Sequence, residues 1–531
     1  MRKGVITVYL AITFSILLSM MLGAIQAAKY SAYRVVCECA LQSALLSAFG
    51  EYNKELLEQY DLLYIDLSYM TNQVSYKALT DRMESYMNEN LKEPEERLLF
   101  ANDFFGTGNA HVSMTRCEKA SDLFGSNLKK QAVEYTKDFI GADFITDFLS
   151  LIRVKKEYAL DEESFKKKKE ELDKEASEAL ENAKSEKGIT EGTKNENTQN
   201  ENTKNDGSET ITGKETEDAK TINSMLSIDY LDMTYIRPLT AFLLKENVSG
   251  VSGKHFQILD APSFRLKSNL ESSEGAFSET ETDPLADVYF TEYIVRKTGN
   301  YVRPKENSYL QYEAEYIYGG RNNDSENLGL VVESIFFIRT AANFISLEQD
   351  EEKKEVVDQI AEGISALTEI PAPVVSALIM CIWAAGEASY DVEDLYNGER
   401  VELIKNADDF NLSIKGGLKN LLPDHKYKTS GKNELVPVGE TEIGNYASEK
   451  KDLELSIKLS YEDYLRILIY LMPSSVKSLR MMDIIELDVH ITPGNENFRI
   501  DWCLNGAEFD VTVKSEFGAE YELKRKYSYS F

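Results

Sequence analysis

Two carboxylates, Glu387 and Asp391, stand four residues apart in an otherwise apolar tract, on the same helical face as Trp383. A charge in such a tract needs a partner, and Arg339 and Arg480 are the candidate cations. The chemistry open to this group is a structural ion pair or a spot that recognises an anion or a peptide. The four histidines, His111, His255, His425 and His490, lie far from one another, so no histidine-built metal site is expected. The acidic run Asn322–Asn327 lacks the spacing and central glycine of a calcium loop. It reads instead as a solvated helix start capped by Asn or Asp. No nucleophile elbow, phosphate-cradling loop or dinucleotide fingerprint is present, so neither a catalytic set nor a cofactor is expected. With 90 acidic residues, carboxylate pairs suited to glycoside hydrolysis arise by chance alone.

The five cysteines give no disulfide framework. Cys37 and Cys39 are two apart in a helical pattern and point in different directions, while Cys117, Cys381 and Cys503 are isolated. Free, mostly buried thiols are expected. A net charge of −31 leaves no basic footprint for nucleic acid and disfavours lying flat on anionic lipid.

The elements that must position these residues begin with the N-terminus. Between Gly4 and Ala28 there is no charged residue. About 20 apolar residues cross a bilayer core about 30 Å thick, and Val5–Ala28 meets that length. A cleaved secretory signal would have a shorter apolar run, and Ile25 occupies a position where a small residue is preferred for cleavage. The reading adopted is an uncleaved anchor that continues as a helix beyond the membrane. Tyr30, Tyr33, Cys37, Leu41, Ala44, Ala48, Tyr52, Leu56 and Tyr60 recur every three or four residues and predict one helix from about Val5 to Tyr60. Within that seam Tyr33, Cys37, Ala44 and Ala48 are the candidate contacts with neighbouring proteins; docking onto the chain's own ectodomain is the alternative. The long acidic remainder favours a single-pass plasma-membrane topology with the C-terminal part extracytoplasmic.

Composition then divides the chain into residues 1–28 (anchor), 29–154 (helical, with a short strand at Leu62–Tyr69), 155–220 (a charged helix and a linker or insertion) and 221–531. Ser185–Lys220 is nearly devoid of large apolar residues and is expected to be disordered. Helices are predicted over Asp283–Lys297, Leu328–Leu347, Val356–Leu367 and Tyr461–Leu471. Ile370–Gly386 carries no charge, yet its prolines and marginal length make it a buried helix, with Pro373 in its first turn. Period two returns near Phe509 and again from Tyr521, predicting two or three antiparallel strands. The fold class is therefore α+β: a transmembrane helix extended into a long helix, a helix-rich ectodomain, and antiparallel strands near the C-terminus.

The stretch Lys3–Ala11, with Ala40–Phe49 and Tyr52–Leu63, resembles pseudopilin-like proteins of tight-adherence (Tad) pilus systems in Gram-positive bacteria. A pilin-like cut after Gly4 is a third reading of the N-terminus, and Tyr9, standing where pilins usually carry a glutamate five residues past such a cut, counts against it. The segments Tyr309–Ile317, Trp383–Ala388, Leu459–Arg466 and Arg480–Asp483 resemble a Gram-positive family of unknown function found beside such pili. The resemblance implies location and association, with the membrane and with other pilus or surface-assembly proteins through the N-terminal helix. It implies no reaction. The competing class is a membrane-tethered surface enzyme or binding module acting on wall polymers.

Overall fold

The computed structural model describes residues 2–92, 108–158, parts of 160–178, 251–257, 261–270, 283–368, 370–413, 457–516 and 518–529. The expected disordered segment Ser185–Lys220, His425 and the polar stretch beyond residue 413 lie outside the described residues.

Helix α1 runs without interruption over Arg2–Phe49, 48 residues, which at 1.5 Å per residue is roughly 70 Å. Its apolar stretch is not buried against the rest of the chain and is long and apolar enough to cross a membrane. The helix stops earlier than its periodicity predicts. Gly50 closes the last turn by donating to the Leu46 carbonyl at 2.9 Å. Asn53 then caps a separate helix α2, Lys54–Tyr60, by accepting from the Glu55 and Leu56 amides at 3.0 and 3.3 Å.

Beyond Lys29 one face of α1 becomes buried. Tyr33, Cys37, Leu41, Ala44, Leu45, Ala48 and Phe49 enter a core with Leu79, Met83 and Met87 of α3 (Tyr76–Leu91) and with Phe509, Val511 and Val513 of a sheet. The central strand of that sheet is β5 (Cys503–Ser515). Along one side it pairs antiparallel with β2 (Gly108–Lys119), Val112 opposite Val511. Along the other it pairs with β6 (Glu520–Ser528), and beyond the end of β6 with β1 (Ile65–Asp66). Gly506 is obligatory in this register, because a Cβ there would meet Ser528 Cβ at 2.5 Å and the Tyr527 carbonyl at 2.8 Å. The outer face of the sheet is polar, with Asp510 opposite Lys524 and Glu508 opposite Lys526.

The sheet thus joins β1 and β2, from before residue 120, with β5 and β6, from after residue 502. Between β2 and β5 the chain builds a second, larger core that is almost wholly helical. Helices α4 (Asp122–Lys137) and α5 (Ala142–Glu157) lead into it, followed by α6 (Pro262–Leu270) and α7 (Pro284–Lys297). The short α8 (Glu313–Gly319) precedes the long α9 (Asp324–Gln349), then α10 (Glu351–Thr368) and α11 (Ala372–Tyr396). A two-stranded ribbon of β3 (Val401–Glu402) and β4 (Lys458–Leu459) joins them to α12 (Tyr461–Tyr470) and α13 (Ser474–His490).

Helices α9 and α11 are also long and apolar enough to span a bilayer, yet each has 78% of its most apolar window buried inside the protein. Their composition reflects apolarity on all sides at the centre of a large core. Pro371 and Pro373 sit at the start of α11, where the first amides need no helical acceptor. The acidic run before α9 is less solvated than expected. Asn323 does cap the helix, accepting from Ser325 N at 2.9 Å. Asp324, however, is buried and accepts from the Gln311 amide at 3.0 Å. Asn327, also buried, accepts from the Arg321 amide at 2.8 Å, so the run ties a loop to the helix.

Candidate functional site

Helix α9 positions Arg339 and Asn343 one turn apart, and α11 positions Glu387 and Asp391 one turn apart on the face turned toward them. The four meet with no solvent exposure. Arg339 Nε donates to Asp391 Oδ2 at 2.9 Å and Asn343 Nδ2 donates to the same oxygen at 2.8 Å. The rest of the guanidinium fork is satisfied by the Glu402 and Leu403 carbonyls at 2.7 and 2.8 Å, by Tyr464 Oη at 3.2 Å and by Asn343 Oδ1 at 3.1 Å. Lys405 reaches in from the loop after β3. It donates to Glu387 Oε1 at 2.6 Å and is ion-paired with Asp391. The amides of Asn411 and Leu412 close on the two Glu387 oxygens at 3.0 and 2.9 Å.

The electrostatics follow from this crowding. Burial pushes the Asp391 carboxyl up, but the Arg339 guanidinium and then the Lys405 ammonium outweigh it and hold the carboxyl below its usual range. Burial likewise works against the Lys405 charge, and Asp391 and Glu387 raise it above the ordinary lysine value. Asp391, Arg339 and Lys405 therefore persist as ions, each with partners that make such burial tolerable. The cluster staples residues 401–412 onto α9 and α11. Trp383 adds to the staple, donating Nε1–H to the Leu412 carbonyl at 2.7 Å and meeting Phe410 edge-on. A ligand would have to displace Lys405 to reach these carboxylates, and the contacts they make are those of a structural ion pair.

Arg480 does not join this group, contrary to its proposed pairing. It lies on α13 and donates to the Ile317 and Tyr318 carbonyls at 2.7 and 2.6 Å, closing the C-terminal end of α8. Gly320 follows there with φ +66°, and a Cβ at that position would strike the Arg480 guanidinium. Lys405, Asn343 and Tyr464 were missed as partners. Asn343 carried a signal, standing one helical turn from Arg339; Lys405 carried none, because its approach depends on a loop path.

The helix seam is resolved in the inward sense. Tyr33, Cys37, Ala44 and Ala48 are all 0–1% exposed and face the chain's own sheet and α3. Tyr33 packs on Tyr521, ring centroids 5.8 Å apart, and Phe49 packs on Tyr527 at 4.5 Å. Tyr521 donates to the Tyr30 carbonyl at 2.8 Å, and Tyr529 donates to that of Phe49. Burial pushes the Cys37 thiol up to about 11, which keeps it protonated and unreactive. The outward face of the same segment carries Val35, Cys39, Gln42 and Leu46, all exposed. All five cysteines are free, and only Cys39 is exposed. Among the described residues no group of three or more His, Cys, Asp and Glu is placed to hold a metal ion.

These features define a helix-rich α+β protein led by an apolar helix suited to anchoring in a membrane and docked by its second half on its own sheet. The chain belongs to the family of unknown function DUF5702, whose family model matches residues 208–515. No match is found among curated proteins or among solved structures.

Proposed function

We propose that this is a non-enzymatic, single-pass plasma-membrane protein with an extracytoplasmic body, acting as a pseudopilin-like or accessory component of a Tad-type pilus or related surface assembly. The observation that supports the reading is the continuity of α1. A tether needs about 20 residues in lipid and no rigid connection beyond them. Here one unbroken helix leaves the apolar stretch and is clamped along α3 and the sheet, so the body is held at a fixed angle to the anchor. Rigid coupling of this kind suits a subunit whose neighbours are packed against the same helix. The resemblance of the N-terminal stretch to pseudopilin-like proteins points the same way.

Because the buried face is occupied internally, neighbours must use the outward face. In-cell crosslinking from Cys39, or from cysteines placed at Val35 or Leu46, is expected to capture pilus or other surface-assembly proteins. Cys37 serves as the silent control, since its thiol is buried. Crosslinks to no assembly component from any outward position, in cells that display intact pili, would refute the proposal.

A further inference from the structure

Away from the ion cluster and the seam, a half-open cleft of about 470 Å³ lies between α6, α13, the loop 492–502 and the segment around Phe256. That is within the range of about 300–1,000 Å³ usual for small-molecule sites. Its walls are aromatic, with Phe256, Tyr309, Phe498 and Trp502. Its rim carries carboxamides, Asn72, Gln257 and Asn497, all exposed. Its floor holds Asp483 and Glu486 beside Arg265.

The walls are fixed before any ligand arrives. Arg265 forks onto Glu486 with two bonds of 2.9 Å and reaches Asp501 at 2.5 Å. Glu486 also accepts from the Ile500 amide at 3.0 Å. His490 holds the Phe498 carbonyl, and the Leu67 amide donates to the Trp502 carbonyl at 3.3 Å. Asn53 donates to Asn495 Oδ1 at 3.1 Å, tying the loop to the start of α2. A cleft held this way loses little freedom on binding, which favours affinity.

The lining selects the ligand by its chemistry. An anion would face the Asp483, Glu486 and Glu496 carboxylates, while of the two arginines in the lining Arg265 is already neutralised by two acids and Arg499 lies over one face of Trp502, 4.8 Å from the ring centroid, leaving the carboxylates in excess. A purely apolar ligand would cover the carboxamides and leave them without partners, which is costly. An uncharged sugar ring avoids both faults. Its C–H face lies against an aromatic ring, and its hydroxyls act as donor and acceptor at once toward planar amides. We propose that this cleft is a binding site for a neutral saccharide. The proposal does not depend on the assembly role.

The test uses the full chain in a sugar-free detergent, titrated with cellotriose, maltotriose and N,N′-diacetylchitobiose. The chain has two tryptophans, and Trp383 is buried at 3% exposure, so an emission shift reports on Trp502. A saturable shift with at least one of the three is expected, lost in Trp502→Ala and weakened roughly tenfold, about 1.4 kcal/mol, in Asn497→Ala. Should Trp502→Ala fail to fold by circular dichroism, the exposed pair Gln257→Ala with Asn497→Ala carries the test by calorimetry. Neither shift nor heat with any of the three sugars would overturn the proposal. So would affinity unchanged in the rim variants, or binding confined to an oligolysine peptide drawn by the floor carboxylates.

Discussion

Arg339 makes more hydrogen bonds than a lysine could in its place. Its fork spans two backbone carbonyls, a carboxylate, an amide and a phenol. Arg339→Ala leaves Asp391 buried with only Lys405 and Asn343, and a loss of about 3–5 kcal/mol is expected by urea unfolding of the solubilised protein. Arg339→Lys is expected to cost nearly as much, because a point charge cannot serve both sides. A cost close to zero for either variant would show that residues 401–412 are held by something else. A second prediction concerns pH. Burial pushes Glu315, which accepts from Tyr461 Oη at 2.6 Å, up to about 7, and pushes Asp483 up to about 6. Both folded-state values exceed the ordinary carboxyl values of 4.5 and 3.8. The stability tied to the protonated forms is therefore complete at low pH and is lost as pH rises toward 6 and 7. Glu315→Gln is expected to flatten that decline between about pH 4.5 and 7 by on the order of 3 kcal/mol, seen in unfolding midpoints measured across the range. At this scale the sequence disclosed Arg339 with Asp391, because charges inside apolar helices must pair. It misdirected Arg480, since a lone arginine that closes a neighbouring helix has no local mark.

The seam of α1 turns small residues into a docking surface. Ala44 and Ala48 have no exposure at all, and their small side chains let the helix approach the sheet and α3 closely. Ala44→Leu is expected to cost about 1–3 kcal/mol through overpacking and to speed proteolysis near Gly50. Val35→Leu, on the exposed face, is expected to leave both unchanged. Equal behaviour of the two variants would mean that α1 is not docked as described. Periodicity located this helix, the buried helices α7, α9 and α12 and the amphipathic α10, because long 3.6-residue patterns survive whatever they pack against; α11 was marked by its uncharged run and its prolines. It overran α1 to Tyr60, as the stripe persists across Gly50 and only the turn chemistry breaks it. Strand β2 was missed although Ala110 and Val112 alternate with Asn109, His111 and Ser113. Its β-bulge at Met114–Arg116 interrupts that alternation.

For the molecule as a whole, the decisive contact joins residues far apart in the chain, β2 with β5 and α1 with β6. No local pattern in the sequence carries that pairing. The sequence did convey the α+β class, the apolar leading helix and the strands near the C-terminus. A chain truncated after Trp502 keeps nearly all of the helical core but strips α1 and α3 of Phe509, Val511, Val513 and Leu523. It is expected to aggregate in size-exclusion chromatography and to lose protease resistance throughout residues 29–92 and 108–119. Behaviour matching that of the full chain would show that the N-terminal unit stands without its distant strands.

The same closure has a meaning in time. Synthesis delivers α1 long before β5 and β6, so the leading helix exists while the strands that cover it do not. Through the whole making of the helical core, the apolar face bearing Tyr33, Leu41 and Phe49 waits without the strands that later bury it. Loops closed over such separations form slowly, and exposed apolar surface is what drives misassembly while they do. The arrival of β5 and β6 is then a commitment step: only a chain translated past Ser528 can bury that face.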